Sequence, residues 1–349
     1  MMDGYALRAA DAAGPLRVVG ELAAGDAPWL RPLVAGEAAR IFTGAPLPPG
    51  ADCVVMQEHA ERSGSEVRVQ QPAKAGQHIR RRGEELSAGA PALATGTLLG
   101  PAELSLAGAC GVASLRVHRR PRIALLCTGS ELVSVGTEPG PGKIVETNSL
   151  ALGALSAEAG AEVLRLGVAA DEVDQIAARL REVEADVLVT TGGASVGDHD
   201  HAQAALERLG GALIFHTVAI RPGKPMLFGT ASRGRLLFGL PGNPAAATLG
   251  FELFVRLALR LLAGDPNPAR PQARARLRGS VTRVRGLTYF PRGRVVAEGA
   301  TLFFSPGAQQ SSMQIASWAG ANAVAVVPPG EGKIEDGEDL DVLLVGPLQ

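Results

Sequence analysis

The chain has little cysteine, few aromatic residues and no excess of charge of either sign. It has 3 cysteines among 349 residues, and aromatic residues make up 4%. The cysteines are widely spaced among apolar neighbours, without a CxxC motif or the Cys/His spacing of a zinc site. We expect Cys53, Cys110 and Cys127 to be reduced core thiols, because buried cysteine behaves as a small hydrophobe. This usage favours a cytoplasmic protein.

The balance of charge excludes a protein that is drawn as a whole onto nucleic acid or anionic lipid. Lysine and arginine number 34 against 35 aspartate and glutamate residues, so any anion-binding site has to be local. The chain also lacks a run of about 18 apolar residues that could span a membrane. Its most apolar helix candidate, residues 245–263, is interrupted by Glu252, Arg256 and Arg260 at the i,i+4 spacing of a water-exposed face. We expect neither a nucleic-acid partner nor a membrane partner.

Residues 122–264 alternate between apolar runs of strand length and helical stretches. The predicted strands are RIALLCT, EVLRLGVAA, DVLVTTG, LIFHTVA, PMLFGT and LLFGL. Predicted helices follow the first, second, third and last of these strands. This order predicts an α/β domain with a doubly wound, mostly parallel sheet.

Both flanks of this central domain have different patterns. Residues 1–96 contain short alternating runs separated by glycine and proline, which predict a β-rich domain. Residues 97–121 predict a short helical linker segment. Residues 265–349 again form short runs split by glycine, which predict a C-terminal β-barrel or sandwich domain. The expected protein is therefore multidomain.

Residues suited to ligand binding follow the predicted strands. Ligands of doubly wound sheets bind outside the carboxyl ends of the strands. The segments at that edge are TGSEL after the first strand, Asp171 after the second, GGASVGDHD after the third, RPGKP after the fourth and GLPGNP after the last. We expect these segments to meet at one site.

Two of these loops are suited to phosphate. Gly192 and Gly193 leave backbone N–H groups accessible, and a helix follows whose amino end favours negative charge. The GLPGNP loop repeats this arrangement after Gly242. There, Asn243 is predicted to cap the next helix and Pro244 to occupy its first position.

Charged side chains complete the predicted site. Arg221 and Lys224 lie on a proline-stiffened loop and would hold a diphosphate or polyphosphate, although Lys224 could also be an ordinary surface lysine. The carboxylates that follow the strands are Glu131, Asp171, Asp198 and Asp200. They would repel phosphate unless a hard cation lay between, and Mg²⁺ is commonly held by carboxylates together with substrate phosphates. The pattern therefore predicts a site for a metal–diphosphate complex.

Simpler roles for single residues stay open. Asp200 could cap the helix that follows it, which would not exclude metal binding. Glu131 and Asp198 could be solvated loop charges. His199 and His201 alternate with aspartates, as in a transition-metal site, but the sequence offers no further ligand cluster.

Longer motifs resemble a known family. MDGYA, IFTGAPLPPGADCVVMQE, IRRRGEEL, TGSEL, TTGGASVGDHD, IRPGKPMLFG and GLPGNPAAA occur in the order seen in molybdopterin molybdenumtransferases, the MoeA and gephyrin E-domain family. The resemblance covers nearly the whole chain. It implies an elongated, four-domain homodimer that inserts molybdate into adenylylated molybdopterin with Mg²⁺, releasing AMP and molybdenum cofactor. It also implies transient contact with molybdopterin adenylyltransferase and with enzymes that accept the cofactor.

The resemblance also implies roles for individual residues. The matches to catalytic positions are Asp3, Thr43, Glu85, Glu131, Asp171, Asp200 and Lys224. Among these, Glu131, Asp171 and Asp200 would hold the metal. The matches to substrate-binding positions are Gly192, Gly193, Ser195, Arg221, Gly242, Asn243, Pro244, Arg292 and Ser311. The family's β-rich domain, which here carries Asp3 and Thr43, contributes to the cleft of the other subunit.

The chain departs from the family pattern at three points. The family has further helical residues of its dimerisation domain before MDGYA, so residues 97–121 are expected to be part of that domain. Glu85 stands where aspartate is more usual, and Arg221 stands where lysine is common. Both residues keep the charge and change its reach and geometry.

Two other functions remain as alternatives. A molybdopterin adenylyltransferase is a single domain that resembles residues 122–264, but its third-strand loop reads GGTG where this chain has GGASVG, and it needs no flanking domains. A non-catalytic scaffold is known among relatives with this architecture, but the complete set of carboxylates and lysine favours catalysis. Molybdate and tungstate have the same shape and charge, so the motifs fit both oxyanions.

Overall fold

The computed structural model describes residues 2–193 and 201–348, which form two compact units divided after Leu93. The predictions made for Ser195, Asp198, His199 and Asp200 lie outside the described residues.

The first unit is built on one six-stranded sheet. Its strands are β1 (Gly4–Leu7), β2 (Pro15–Leu22), β3 (Glu37–Ile41), β4 (Cys53–Met56), β5 (Ala60–Ser63) and β6 (Glu66–Val69). The sheet order is β4-β1-β3-β2-β6-β5, with β2 and β3 parallel and the other neighbours antiparallel. Successive strand residues face opposite sides, so Tyr5 and Leu7 enter one core while Ala6 enters another. The expectation of a β-rich N-terminal region is confirmed.

The second unit begins with a helix and a six-stranded central sheet. Its elements up to the last helix are α1 (Pro101–Ala109), β7 (Arg122–Thr128), β8 (Leu132–Val133), β9 (Ile144–Val145), α2 (Asn148–Glu158), β10 (Glu162–Ala169), α3 (Val173–Glu182), β11 (Val187–Thr191), α4 (His201–Arg208), β12 (Ala212–Thr217), β13 (Ile220–Arg221), β14 (Pro225–Ala231), β15 (Arg235–Leu240), α5 (Pro244–Gly250) and α6 (Arg256–Leu262). The short pair β8 and β9 was not predicted.

The central sheet has the order β10-β7-β11-β15-β14-β12. Its first four strands are parallel, and β14 runs antiparallel to both of its neighbours. The chain winds from β7 outward to β10 and then returns to β11 on the other side of β7. The winding direction therefore changes between the carboxyl ends of β7 and β11, which is where such sheets bind ligands.

Both faces of the central sheet are covered by helices. In β7, Ile123 and Leu125 pack into a core with α2, α5 and α6, while Ala124 and Leu126 pack into a core with α3 and α4. This arrangement explains why β7 is an unbroken apolar run rather than an alternating one. The prediction of a doubly wound, mostly parallel sheet is confirmed.

The last helical segment carries a buried ion pair. A π-helical turn at Phe251–Val255 joins α5 to α6. Glu252 is buried, and its two carboxylate oxygens accept hydrogen bonds from Arg270 at 2.8 and 2.9 Å. Glu252 was expected on a water-exposed face of the helix. Instead it is buried, and its ion pair with Arg270 joins the helix to the segment that follows it. No helix in the described part of the chain is long and apolar enough to cross a membrane.

The C-terminal region forms a closed five-stranded barrel. The strands of the whole C-terminal region are β16 (Gln272–Leu277), β17 (Val281–Thr282), β18 (Thr288–Tyr289), β19 (Arg292–Glu298), β20 (Thr301–Pro306), β21 (Ala323–Val326), β22 (Lys333–Ile334) and β23 (Asp339–Leu344). The barrel order is β16-β20-β19-β21-β23. Strand β13 pairs in parallel with β18, which attaches the barrel region to the central domain. The predicted barrel is confirmed.

The prediction of three core thiols is correct for two of them. Cys53 and Cys127 are buried, and burial raises the pKa of each thiol to about 12. Cys110 is exposed, because it follows α1, in which Ala107 is the one buried residue. The expectation for Cys110 was therefore wrong: an apolar sequence neighbourhood does not bury a residue when the helix beside it is itself exposed.

Candidate active site

A cavity of about 460 Å³ opens at the carboxyl ends of β7, β11 and β15. The predicted site residues that line it are Glu131, Gly192, Gly193, Gly242, Asn243 and Pro244. Further lining residues that the sequence analysis did not single out include Thr128, Glu146, Thr147, Asn148 and Met313. The cavity lies at the change of winding direction, as expected for a ligand site of this sheet.

Backbone packing forms one wall of the cavity. Gly192 has a φ of 91°, and a Cβ built there would lie 2.3 Å from the carbonyl oxygen of Thr128. A Cβ built at Gly242 would lie 3.5 Å from the Cα of Gly192. The N–H of Gly192 donates to the carbonyl of Leu240 at 3.2 Å. A side chain at Gly192 would therefore clash with the Thr128 carbonyl, and a Cβ at Gly242 would reach ordinary van der Waals contact with Gly192.

The start of α2 holds the second glycine loop. Asn148 is buried, and its Nδ2 donates to the carbonyl oxygen of Gly242 at 2.9 Å. Glu146 is also buried, and its carboxylate accepts hydrogen bonds from the N–H and hydroxyl of Ser149 at 2.7 and 2.5 Å. Both residues lie in ETNS, directly before or at a helix start, which was the signal in the sequence that could have indicated them.

The predicted metal ligands Glu131 and Asp171 follow β7 and β10 respectively. Glu131 is exposed to the cavity, and its carboxylate folds back over the backbone of Gly129. The N–H of Ser130 donates to Asp171 Oδ2 at 3.2 Å, which joins this loop to the end of β10. Lys143 Nζ donates to the carbonyl of Ser130 at 2.6 Å. Glu131 therefore lines the cavity, while Asp171 and Lys143 both bond to the backbone of its neighbour Ser130.

The donor chemistry of the predicted metal ligands fits Mg²⁺. Glu131 and Asp171 offer hard carboxylate oxygens, and Mg²⁺ sites commonly use one or two protein carboxylates with substrate phosphates. Within residues 2–193 and 201–348, no group of three His, Cys, Asp or Glu side chains is arranged to hold a metal by itself.

Of the predicted basic residues, Arg221 ends β13 and Lys224 lies on the loop between β13 and β14. Lys224 is exposed and directly precedes Pro225, which lines the cavity. The Arg221 guanidinium carbon lies 5.5 Å from the ring centroid of Tyr289 in the barrel region. Arg221 therefore contacts the C-terminal region, whereas Lys224 lies beside the cavity wall.

A loop of the barrel region is fastened to the start of α5. Asn243 Nδ2 donates to Ser312 Oγ at 3.2 Å, and the N–H of Ala245 donates to the carbonyl of Ser312 at 3.0 Å. Trp318 Nε1 donates to the carbonyl of Ala245 at 3.2 Å. Pro244 occupies the first helical turn as predicted, but the Asn243 side chain makes no capping hydrogen bond. Asn243 therefore occupies the predicted cap position without the predicted side-chain bond, because the Ala245 N–H that a cap could satisfy donates to the Ser312 carbonyl.

Arg292 organises the same loop from inside. Its side chain is fully buried, and burial lowers the pKa of its guanidinium. Its Nε donates to Ser317 Oγ at 3.1 Å and its Nη2 to the carbonyl of Ser311 at 3.2 Å. These contacts hold the loop whose Met313 lines the cavity. Arg292 acts here as a positioning residue, and its direct contact with substrate stays a prediction.

The remaining predicted residues lie in the first unit. The N–H of Thr43 donates to Asp3 Oδ1 at 2.8 Å. This backbone hydrogen bond is the largest cause that lowers the pKa of Asp3, and a hydrogen bond from the Thr43 side chain is the next largest. Glu85 forms an ion pair with Arg80. The structure therefore brings Asp3 and Thr43 together, with the Asp3 carboxylate stabilised in its charged form.

Three family descriptions match the chain in order. They are the MoeA N-terminal region (domain I and II) at residues 1–111, a probable molybdopterin binding domain at residues 124–261, and the MoeA C-terminal region (domain IV) at residues 274–345. Molybdopterin molybdenumtransferase 2 of Mycobacterium tuberculosis is 38% identical over 356 residues, covering 98% of this chain and 87% of that protein.

The chain belongs to the molybdopterin molybdenumtransferase family. The Nostoc sp. member is 36% identical over 358 residues, covering 98% of this chain and 81% of that protein. The crystal structure of the molybdopterin biosynthesis MoeA protein from Pyrococcus horikoshii OT3 is similar with a TM-score of 0.82 and 29% identity, covering 98% of this chain and 86% of that chain. The expected family, its transferase class and its fold are confirmed for this molybdopterin molybdenumtransferase homologue.

We expect Gly192→Ala to destabilise this family member more than Gly136→Ala does. Both glycines have φ near 90° (91° and 89°), so both substitutions incur backbone strain of about 1–3 kcal/mol. At Gly136 no heavy atom lies within 4 Å of a built Cβ, whereas at Gly192 the Thr128 carbonyl is in the way. Overpacking should add about 1–3 kcal/mol. Urea unfolding of both variants measures the difference, and equal losses would contradict the close approach.

Proposed function

We propose that this protein inserts molybdenum into adenylylated molybdopterin, with Mg²⁺, and releases AMP. The observation that carries this proposal is the cavity in which two glycine loops adjoin the Glu131 carboxylate of the loop after β7. Backbone N–H donors suit phosphate, and a carboxylate beside phosphate suits a bound cation. Relatives that cover nearly the whole chain are named for transfer of molybdenum to molybdopterin, which supports the same activity here.

The chain's own residues divide the work of binding. The backbone of Gly193 and Gly242 gives a diphosphate access to N–H groups without obstruction by side chains, while the Gly192 N–H is already bonded to the Leu240 carbonyl. Glu131 and Asp171, with Asp200, are the proposed ligands of Mg²⁺, which would neutralise charge between these carboxylates and the diphosphate when bound. The described part of the cavity supplies hard oxygen donors of the kind that this cation prefers.

The two alternative functions are a single-domain adenylyltransferase and a non-catalytic scaffold. Matches on both flanks of residues 124–261 favour the molybdenumtransferase over a single-domain adenylyltransferase. Retention of Glu131, Asp171 and Lys224 favours catalysis over a scaffold role. We also infer a cytoplasmic location from the free cysteines.

Release of AMP tests the function directly. Purified protein incubated with adenylylated molybdopterin, Mg²⁺ and molybdate should release AMP, and omission of Mg²⁺ or molybdate should abolish the release. A parallel reaction with ATP and unmodified molybdopterin should give no adenylylated product. Product in the second reaction alone would identify an adenylyltransferase, and activity in neither reaction would favour a scaffold.

We propose Lys224 as a cationic ligand of molybdate or of the substrate phosphates. Lys224→Gln keeps most of the side-chain length and removes the charge, so binding should weaken by about 10-fold or more, the usual effect of losing a hydrogen bond to a charged group. Lys333→Gln, at an exposed lysine of β22, is the matched control and should bind like the wild type. Calorimetric titration with each ligand measures the effect. Equal affinity of the two variants for both ligands would remove Lys224 from the site.

We propose that the protein forms a homodimer through the segment that contains α1. The exposed large apolar residues of this segment are Leu98, Leu104, Val112, Leu115 and Val117. Monomers rarely expose contiguous apolar patches of this kind without an interaction partner. Light scattering should give twice the mass of one chain, and Leu104→Glu should reduce it. A monomeric wild-type protein would contradict the proposal.

A further inference from the structure

The peptide bond between Gly242 and Asn243 is held from one side. Three residues, Pro241 to Asn243, connect β15 to α5 along the cavity. The carbonyl of Gly242 accepts the hydrogen bond from buried Asn148 at 2.9 Å. Asn148 itself is the first residue of α2, so its side chain is fixed to a helix of the central domain.

The other side of this peptide bears the N–H donor of Asn243. The described structure has one cis peptide bond, at Arg221–Pro222, so the 242–243 peptide is trans and planar, with its carbonyl and N–H pointing in opposite directions. Fixing the Gly242 carbonyl therefore fixes the direction of the Asn243 N–H. Among residues 2–193 and 201–348 this N–H has no hydrogen-bond partner, although Ala245, Ala246 and Ala247 all donate. Asn243 is exposed and lines the cavity.

We propose that Asn148 is a positioning residue that aims the Asn243 N–H at a phosphate oxygen of the substrate. This inference rests on the proposed function, because the phosphate is that of adenylylated molybdopterin. An N–H donor to a charged oxygen makes a charge-assisted hydrogen bond, which is stronger than one between neutral groups. A donor whose direction is already fixed loses less entropy when the ligand binds.

Asn148 controls the orientation of the peptide more than the position of the loop. The loop is held independently by the bond from the Gly192 N–H to the Leu240 carbonyl and by the bond from Asn243 Nδ2 to Ser312. Gly242 has no Cβ and is exposed, so its peptide can turn when the Asn148 bond is removed. Loss of Asn148 should therefore leave the cavity in place but let the donor point elsewhere.

The Asn243 N–H can be removed with little change of backbone shape. Asn243 has φ −63° and ψ 120°, which proline adopts without strain. Asn243→Pro therefore deletes the N–H and the side chain, whereas Asn243→Ala deletes the side chain alone. The ratio of their affinities reports the contribution of the N–H.

Asn148→Ala and Asn148→Asp test the positioning role. Alanine removes the amide, and aspartate keeps its shape but offers an acceptor to the Gly242 carbonyl instead of a donor. Ser156→Ala is the control, because it removes a buried hydrogen bond of 2.6 Å on the same helix without touching the cavity. Thermal unfolding verifies that each variant is folded.

The experiment measures the dissociation constant of adenylylated molybdopterin with Mg²⁺ and without molybdate. We expect Asn243→Pro to bind about 10- to 100-fold more weakly than Asn243→Ala. Both Asn148 variants should lose most of the affinity that this 10- to 100-fold factor represents. The double variant Asn148→Ala/Asn243→Pro should bind as tightly as Asn243→Pro alone. Ser156→Ala should lower the Tm and keep the wild-type affinity.

Several results would overturn the inference. If Asn148→Ala and Asn148→Asp bind like the wild type, Asn148 has a structural role only, while the proposed function still stands. If the effects of Asn148→Ala and Asn243→Pro add in full, the two groups act separately and the coupling is wrong. If the wild-type protein does not bind adenylylated molybdopterin, the proposed function fails and this inference fails with it.

Discussion

The close approach of Gly192 to the Thr128 carbonyl is the constraint on which the candidate site depends. It brings the ends of β7 and β11 together at the change of winding direction, and it leaves room for Gly242 to approach from the end of β15. Three chain segments thereby present backbone rather than side chains to one cavity. The barrel loop that carries Ser312 and the first turn of α2 then hold this arrangement from two sides.

The charges of the site follow from this backbone arrangement. The glycine loops offer N–H donors but no full positive charge. An anionic ligand bound there therefore needs positive charge from elsewhere. The carboxylates of Glu131 and Asp171 would oppose such a ligand alone, so their presence beside it makes sense with a bound cation. Lys224 directly precedes Pro225 of the cavity lining, and we propose it as a second cationic neighbour of the ligand.

The fold was predictable because its signals are local, whereas the contacts that complete the site are not. The apolar period of β7 and the glycines after β11 can be read within a few residues. Asn148 was missed because its partner, Gly242, lies 94 residues away. Asn243 makes no side-chain capping bond because the carbonyl of Ser312, 69 residues further on, accepts from the helix N–H at Ala245. Asp3 and Thr43 were associated through family motifs, and their hydrogen bond required the structure.

A crystal structure of the protein with adenylylated molybdopterin and Mg²⁺ would test the central claim most directly. The claim is that the cavity between the glycine loops binds the diphosphate. The account predicts a phosphate oxygen at hydrogen-bond distance, about 2.7–3.2 Å, from the Asn243 nitrogen, with the cation near Glu131 and Asp171. A diphosphate bound outside this cavity, with the glycine loops contacting water alone, would contradict it.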